Sequence, residues 1–71
     1  MNVAEMREGE TRLIRSIDDD QLMLRLLEMG CIPGNQITYN YKAPMGDPIC
    51  VTVSGYDLTL RISEASSISV Q

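Results

Sequence analysis

Three residue types are missing from the chain, which contains no His, no Trp and no Phe. His is the commonest general base and the commonest metal-binding side chain, so its absence argues against both kinds of site. Trp and Phe provide stacking surfaces for single-stranded nucleic acids, and three Tyr are the whole aromatic content. A Ser or Cys nucleophile would need a base other than His, and nothing around the single Lys42 indicates that role. We therefore expect a protein that is not an enzyme and that uses no cofactor.

Positive charge and long apolar runs are also scarce. Six Lys and Arg stand against ten Asp and Glu, which gives a formal net charge of −4. This balance lacks the cationic excess that displaces counterions from a phosphate backbone, so we expect no nucleic-acid partner. The most apolar stretch, Leu22–Met29, is interrupted by Arg25 and Glu28. Direct membrane insertion is therefore not expected either.

The two cysteines, Cys31 and Cys50, could form at most one disulfide bond. Secreted domains of this size usually carry several, and no basic segment leads into an apolar run at the start of the sequence. Both observations favour the cytoplasm. The 71 residues suffice for one domain, residues 1–71, whose core rarely supplies more than about 3–5 kcal/mol. A binding or regulatory role suits such a chain better than a catalytic cleft.

One helix is predicted after an initial strand at Thr11–Ile17. Asp18 and Gln21 have the spacing of a capping box, and the acidic run from Asp18 to Asp20 favours the positive end of a helix dipole. The helix body repeats apolar residues at helical spacing, and Gly30 follows where a left-handed residue often ends a helix. The buried stripe is expected to contain Leu22, Leu26 and Met29, with Met23 and Leu27 on an adjacent row.

From Asn35 onward the apolar period changes to two, which is typical of half-buried strands. A two-residue turn at Gly55-Tyr56 would keep the apolar residues of neighbouring strands on one face. The predicted pairs across this turn are Val53 with Leu58, Val51 with Leu60 and Ile49 with Ile62. Across the preceding connection the predicted pairs are Tyr41 with Ile49, Tyr39 with Val51 and Ile37 with Val53.

Ser63–Ser66 is predicted to form one helical turn, and Ile68 and Val70 belong to a last short strand. Five short strands with a single early helix indicate a mainly β, small α+β fold. The predicted architecture is an SH3-like five-stranded antiparallel barrel with one short helix inserted after the first strand.

Three sequence blocks resemble the ferrous-iron transport protein A (FeoA) family in order and approximate spacing. They are Leu26–Gly34 (LLEMGCIPG), Ala43–Pro48 (APMGDP) and Leu58–Ala65 (LTLRISEA). The resemblance extends over essentially the whole chain. Each block alone is modest evidence, but together they form a fairly specific signature.

The resemblance implies a cytoplasmic accessory or regulatory protein of a bacterial ferrous-iron uptake system. Its implied partner is the large ferrous-iron permease, whose cytosolic portion carries a GTP-binding domain. The same domain resembles the C-terminal module of iron-dependent repressors, so the alternative is a detached regulatory domain that binds a peptide or metal. This chain lacks the winged-helix part of such repressors, which favours the first interpretation. Self-association is a further alternative.

Metal binding is the obvious hypothesis for a family linked to iron, but no two candidate ligands have a recognisable metal-binding spacing. We therefore expect no metal site. The candidates are Cys31, Cys50, Asp47, Asp57, Glu64 and the run from Asp18 to Asp20, which is better explained as a helix cap.

The loop from Pro44 to Pro48 is the preferred partner-contact site. Two prolines and Gly46 stiffen it, and a stiff loop loses less entropy on docking. It holds Met45 at a hairpin tip where an apolar side chain has little to pack against. The alternative is that Gly46 and Asp47 only satisfy turn geometry. The predicted contact residues are Pro44, Met45, Gly46 and Asp47 with Arg25 and Glu28 from the polar side of the helix, and no catalytic residue is assigned.

Overall fold

The structure is a computed structural model that describes residues 1–30 and 32–71. Five strands form one antiparallel sheet in the order β4-β3-β2-β1-β5, with a helix inserted after the first strand. The predicted strand count, strand orientation and helix position are confirmed. In chain order the elements are a 3-10 helix Val3–Glu5, β1 Thr11–Ile17, α1 Asp20–Glu28, β2 Gln36–Lys42, β3 Ile49–Val53, β4 Tyr56–Leu60, α2 Ile62–Ala65 and β5 Ile68–Val70.

Helix α1 begins one residue later than the capping-box spacing predicted. The Asp19 carboxylate, not that of Asp18, accepts the hydrogen bond from the Leu22 backbone N–H, at 3.1 Å. The Asp18 N–H instead donates to the Ser67 carbonyl at 2.8 Å, because the chain is still tied to the segment that leads into β5. Gly30 follows the helix with φ +79°, as predicted for a left-handed residue that ends it.

The face of α1 that carries Leu22 and Leu26 is buried, as predicted. Met23 and Met29 are partly buried against the core, whereas Leu27 is 46% exposed. The helix therefore contacts the sheet through a narrow stripe. The core draws buried apolar side chains from every element, namely Val3, Met6, Ile14, Ile17, Leu22, Leu26, Ile37, Tyr39, Ile49, Val51, Val53, Leu60, Ala65, Ile68 and Val70.

The predicted register between β2 and β3 is confirmed for two of its three residue pairs and wrong for the third. Ile37 lies opposite Val53 and Tyr39 opposite Val51, as predicted. The predicted pair of Tyr41 with Ile49 is wrong, because the register shifts between Tyr39 and Tyr41. This bulge places Tyr41 opposite Cys50 and leaves its side chain 51% exposed.

The turn between β3 and β4 lies one residue earlier than predicted. Its central residues are Ser54 and Gly55, with φ +52° and +81°, whereas the predicted turn was Gly55-Tyr56. A tight hairpin turn of this kind needs positive φ at both central positions, which Gly tolerates far better than Tyr.

All three predicted pairs across that turn are therefore wrong by two residues. The buried face is nevertheless the predicted one, because an even shift in register keeps each side chain on the same side of the sheet. Ile62 leaves the sheet, begins α2 and is 39% exposed. The observed partners are Val53 with Tyr56, Val51 with Leu58 and Ile49 with Leu60.

Candidate docking groove

The proline-flanked loop between β2 and β3 holds Met45 at its tip, with the side chain 93% exposed. The Gly46 N–H donates to the Ala43 carbonyl at 2.7 Å, and the Ala43 N–H donates to the Pro48 carbonyl at 3.0 Å. Gly46 has φ +91°, a conformation that non-glycine side chains rarely adopt. Backbone hydrogen bonds thus hold the loop closed while the Met45 side chain makes little contact with the rest of the domain.

Asp47 has a structural role in addition to its position in the loop. Its carboxylate Oδ1 accepts a hydrogen bond from the Ile62 N–H at 3.0 Å, in the first turn of α2. The first backbone N–H groups of a helix lack partners inside the helix, so this contact satisfies one of them. The loop is therefore tied to α2, and Asp47 is less available to a partner than Met45 is.

A groove of about 570 Å³ runs between α1 and β4, and we call it the α1–β4 groove. It brings together two residues of the proposed contact surface, Arg25 from α1 and Pro48 from the loop. Glu28 is exposed on α1 but does not line the groove. The apolar lining consists of Met29, Pro48 and Leu58, and the polar lining consists of Arg25, Thr59, Arg61 and Glu64.

Charges at the rim of the groove are organised around Glu64. Its Oε2 lies 2.9 Å from a guanidinium nitrogen of Arg25, and its Oε1 accepts the Arg61 backbone N–H at 2.8 Å. The Arg25 side chain is 53% exposed, so this pair contributes at most about 0.2–1 kcal/mol. The Arg61 guanidinium has no ion pair among residues 1–30 and 32–71. An ion pair of the Arg61 side chain with Glu64 or Asp47 is therefore not formed.

A second groove, of about 320 Å³, lies on the other side of Pro48. Tyr41, Pro44 and Cys50 line it, together with Lys42, Ala43, Pro48 and Thr59. The hydrogen bond between the Tyr41 and Cys50 side chains raises the pKa of Tyr41. Charge on Cys50, partial desolvation and the carboxylate of Asp57 act in the same direction. Asn40 also donates to the Cys50 sulfur, at 3.9 Å.

The candidate metal ligands are dispersed in the part of the chain that the structure describes. No three Cys, Asp or Glu side chains lie close enough there to hold a metal ion. Asp47 caps α2, and Asp57 accepts a hydrogen bond from the Thr52 hydroxyl at 2.6 Å. Cys31 lies outside the described residues, so the expectation of no metal site stays a prediction. In the same described part, no helix is long and apolar enough to cross a membrane.

Sequence reasoning missed most of the α1–β4 groove. Arg25 and Glu64 are 39 residues apart in the chain, and their side chains meet only because the fold brings them to the same groove. Met29 and Leu58 were expected in the core, but both are only partly buried and line the groove instead. The one available signal was Leu58, an apolar residue in the middle of β4, which is an edge strand of the sheet.

Comparison with known proteins gives a consistent result. The model of the FeoA domain matches residues 1–71. A fusion of Fe(2+) transport protein A with the Fe(2+) transporter FeoB, from Porphyromonas gingivalis, is 31% identical over 72 residues. The alignment covers 100% of this chain and 8% of the fusion protein, so the chain spans under a tenth of that relative.

Solved structures agree with the fold. The solution structure of the FeoA protein from Chlorobium tepidum is 32% identical with a TM-score of 0.93, covering 99% of this chain and 68% of that one. The crystal structure of FeoA from Stenotrophomonas maltophilia, described as an SH3 domain protein complexed with zinc, is 30% identical. Its TM-score is 0.86, and the match covers 100% of this chain and 89% of that one.

A manganese-dependent transcriptional repressor shares the fold at 18% identity, with a TM-score of 0.84 over 99% of this chain and 40% of the repressor. Identity this low shows a common fold and nothing about a common role. The family match and the FeoA relatives cover essentially the whole chain, and these relatives are similar to it in sequence as well as in fold. The chain belongs to the FeoA family, which is associated with ferrous-iron transport, and it has that family's SH3-like fold.

Proposed function

We propose that this domain is a non-catalytic accessory protein of ferrous-iron uptake that acts in the cytoplasm. Its partner in this proposal is the cytosolic GTP-binding region of a ferrous-iron permease. The observation that carries the proposal is the Porphyromonas gingivalis relative, which joins a transport protein A region and a FeoB transporter in one chain. Joining two modules raises their effective concentration to the order of millimolar, which favours a pair that works in contact.

The exposed Met45 side chain is the first part of the proposed contact surface. An apolar side chain that is 93% exposed gains more from burial in an interface than one already half-covered. The loop that carries it is closed by backbone hydrogen bonds, so little backbone entropy is lost on docking. Met45 therefore combines a large gain on burial with a small ordering cost.

The α1–β4 groove is the second part of the surface. Pro48 belongs both to the loop and to the wall of the groove, and Asp47 ties the loop to α2. Arg25 lines the same groove from α1. The loop and the groove thus form one continuous surface, with Glu28 beside it on the exposed side of the helix.

The substitution Met45→Asp tests this surface. We expect it to weaken binding to the purified GTP-binding region by about tenfold or more, because a carboxylate replaces apolar contact area. The free energy of unfolding should change by only about 0.5 kcal/mol, since Met45 packs against little in the domain. Isothermal titration calorimetry measures the affinity and urea denaturation measures the stability.

Leu13→Asp is a matched control. Leu13 is also an exposed apolar residue, at 39%, but it lies on β1 and lines neither groove. The Leu13→Asp variant should bind the GTP-binding region with unchanged affinity. Normal binding by Met45→Asp with loss of binding by Leu13→Asp would show that the contact surface is elsewhere. Absence of binding by the wild-type domain would contradict the functional proposal itself.

A further inference from the structure

The two edges of the sheet differ in how they are covered. The outer edge of β5 is paired with the start of the chain, through a bridge between Asn2 and Ser69. The Val70 N–H also donates to the Met1 carbonyl at 2.9 Å. Covering an edge in this way protects its backbone groups from pairing with another chain.

The outer edge of β4 has no such cover. Strand β4 pairs with β3 only, and the two-residue turn makes Val53 and Tyr56 a hydrogen-bonded pair. Bonded and non-bonded positions alternate along an antiparallel pair, so Asp57 and Thr59 direct their backbone N–H and C=O groups away from β3. Within residues 1–30 and 32–71, no hydrogen bond reaches these outward backbone groups.

This uncovered edge forms one wall of the α1–β4 groove. Leu58 and Thr59 line the groove on the β4 side, and Arg25 and Met29 line it on the α1 side. Leu58 lies on the core face of the sheet, yet it is only partly buried. The groove therefore offers apolar surface next to unpaired backbone donors and acceptors, which is the arrangement that an added strand uses.

The charge of the groove indicates which kind of segment would bind there. Arg25 and Arg61 line it with Glu64 as the one acidic residue, so the groove has an excess of one positive charge in a chain of net charge −4. Glu64 pairs with Arg25 at 2.9 Å, which leaves the Arg61 guanidinium without an ion pair in the described part of the chain. A carboxylate on an incoming segment would complement it.

We propose that an extended segment carrying Asp or Glu adds as a strand to the outer edge of β4, with its acidic side chain near Arg61. The inference rests on the proposed function, because the segment would belong to the GTP-binding region of the permease. Backbone hydrogen bonds to Asp57 and Thr59 would provide affinity. The apolar lining formed by Met29 and Leu58 would receive a neighbouring side chain of the segment.

Thr59→Pro tests the proposal at the backbone. Proline removes the outward N–H of residue 59 and its ring obstructs an added strand, yet an edge strand tolerates proline where the N–H points away from the sheet. We expect binding to the purified GTP-binding region to weaken by about tenfold or more. Thr59→Val is the matched control, because it changes the side chain but keeps the backbone donor, and it should bind as the wild type does.

Amide hydrogen exchange gives a second measurement that does not require a stable variant. The Asp57 and Thr59 amides should exchange fast in the free wild-type domain and become protected when the GTP-binding region is added. If the wild-type domain binds but its Asp57 and Thr59 amides stay unprotected and Thr59→Pro binds equally well, strand addition is wrong while the proposed function stands. Protection that grows with the concentration of the domain by itself would overturn it too, since a second copy would then occupy the edge. Absence of any wild-type binding would overturn both this inference and the proposed function.

Discussion

At the scale of single residues, one side-chain hydrogen bond marks where α1 begins. Three consecutive aspartates lie at the start of α1, and the hydrogen bond that the Asp19 carboxylate accepts identifies Asp19 as the cap. Spacing alone favoured Asp18, because the capping box compares residue types and cannot show where the preceding strand ends. The Asp18 backbone is still held by Ser67, a residue from the other end of the chain.

The buried Tyr39 makes the domain less stable as the pH becomes alkaline. Burial of Tyr39, assisted by the negative charge of Glu8, raises the pKa of its hydroxyl above the ordinary value of 10.0. The unfolded chain therefore loses this proton at lower pH than the folded domain does, and the free energy of unfolding falls as pH rises past about 10. Below that pH, Tyr39 makes no contribution to the pH dependence.

Urea midpoints at pH 9 and pH 11 test this dependence. The wild type should lose more stability between the two values than Tyr39→Phe does, because phenylalanine cannot ionise. Tyr56→Phe is the control, since Tyr56 is 59% exposed, and it should behave as the wild type does. An equal loss of stability in all three proteins would contradict the assignment to Tyr39.

At the scale of secondary-structure elements, alternation in the sequence predicted which side is buried in β3, in β4 and in the first part of β2. It did not determine the register, because a shift of two residues preserves every buried position. The register between β3 and β4 depends on turn chemistry at Ser54 and Gly55, and the bulge near Tyr41 has no signal in the alternating pattern. The short 3-10 helix was missed because three residues are too few for a period, although Val3 is fully buried.

The hairpin turn can be tested by substitution at Gly55. Its φ of +81° is accessible to Gly at no steric cost, whereas Ala in this region costs about 1–2 kcal/mol. Among the described residues, no atom outside Gly55 and its two chain neighbours lies within 4 Å of the position where a Cβ would be, so the expected loss is conformational. Urea denaturation of Gly55→Ala should show a loss of about that size, while Gly55→Asn should lose less, because Asn adopts positive φ more readily. Equal stability of the Ala variant and the wild type would contradict this turn geometry.

At the scale of the whole molecule, the resemblance of three sequence blocks sufficed to predict the family and the SH3-like fold. The proposed contact surface was only partly predictable. The loop could be identified from its prolines and Met45, since both lie in one short segment. The α1–β4 groove could not, because its walls come from α1, β4 and α2 and meet only after the sheet has folded.

The central claim is that the domain acts on the permease, and the GTP hydrolysis rate of the permease's cytosolic region tests it most directly. The account predicts that adding the wild-type domain changes this rate in a saturable manner. The Met45→Asp variant should produce the same change only at concentrations at least about tenfold higher, because it binds more weakly. An unchanged hydrolysis rate at saturating domain, together with equal ferrous-iron uptake by cells with and without the domain, would contradict the account.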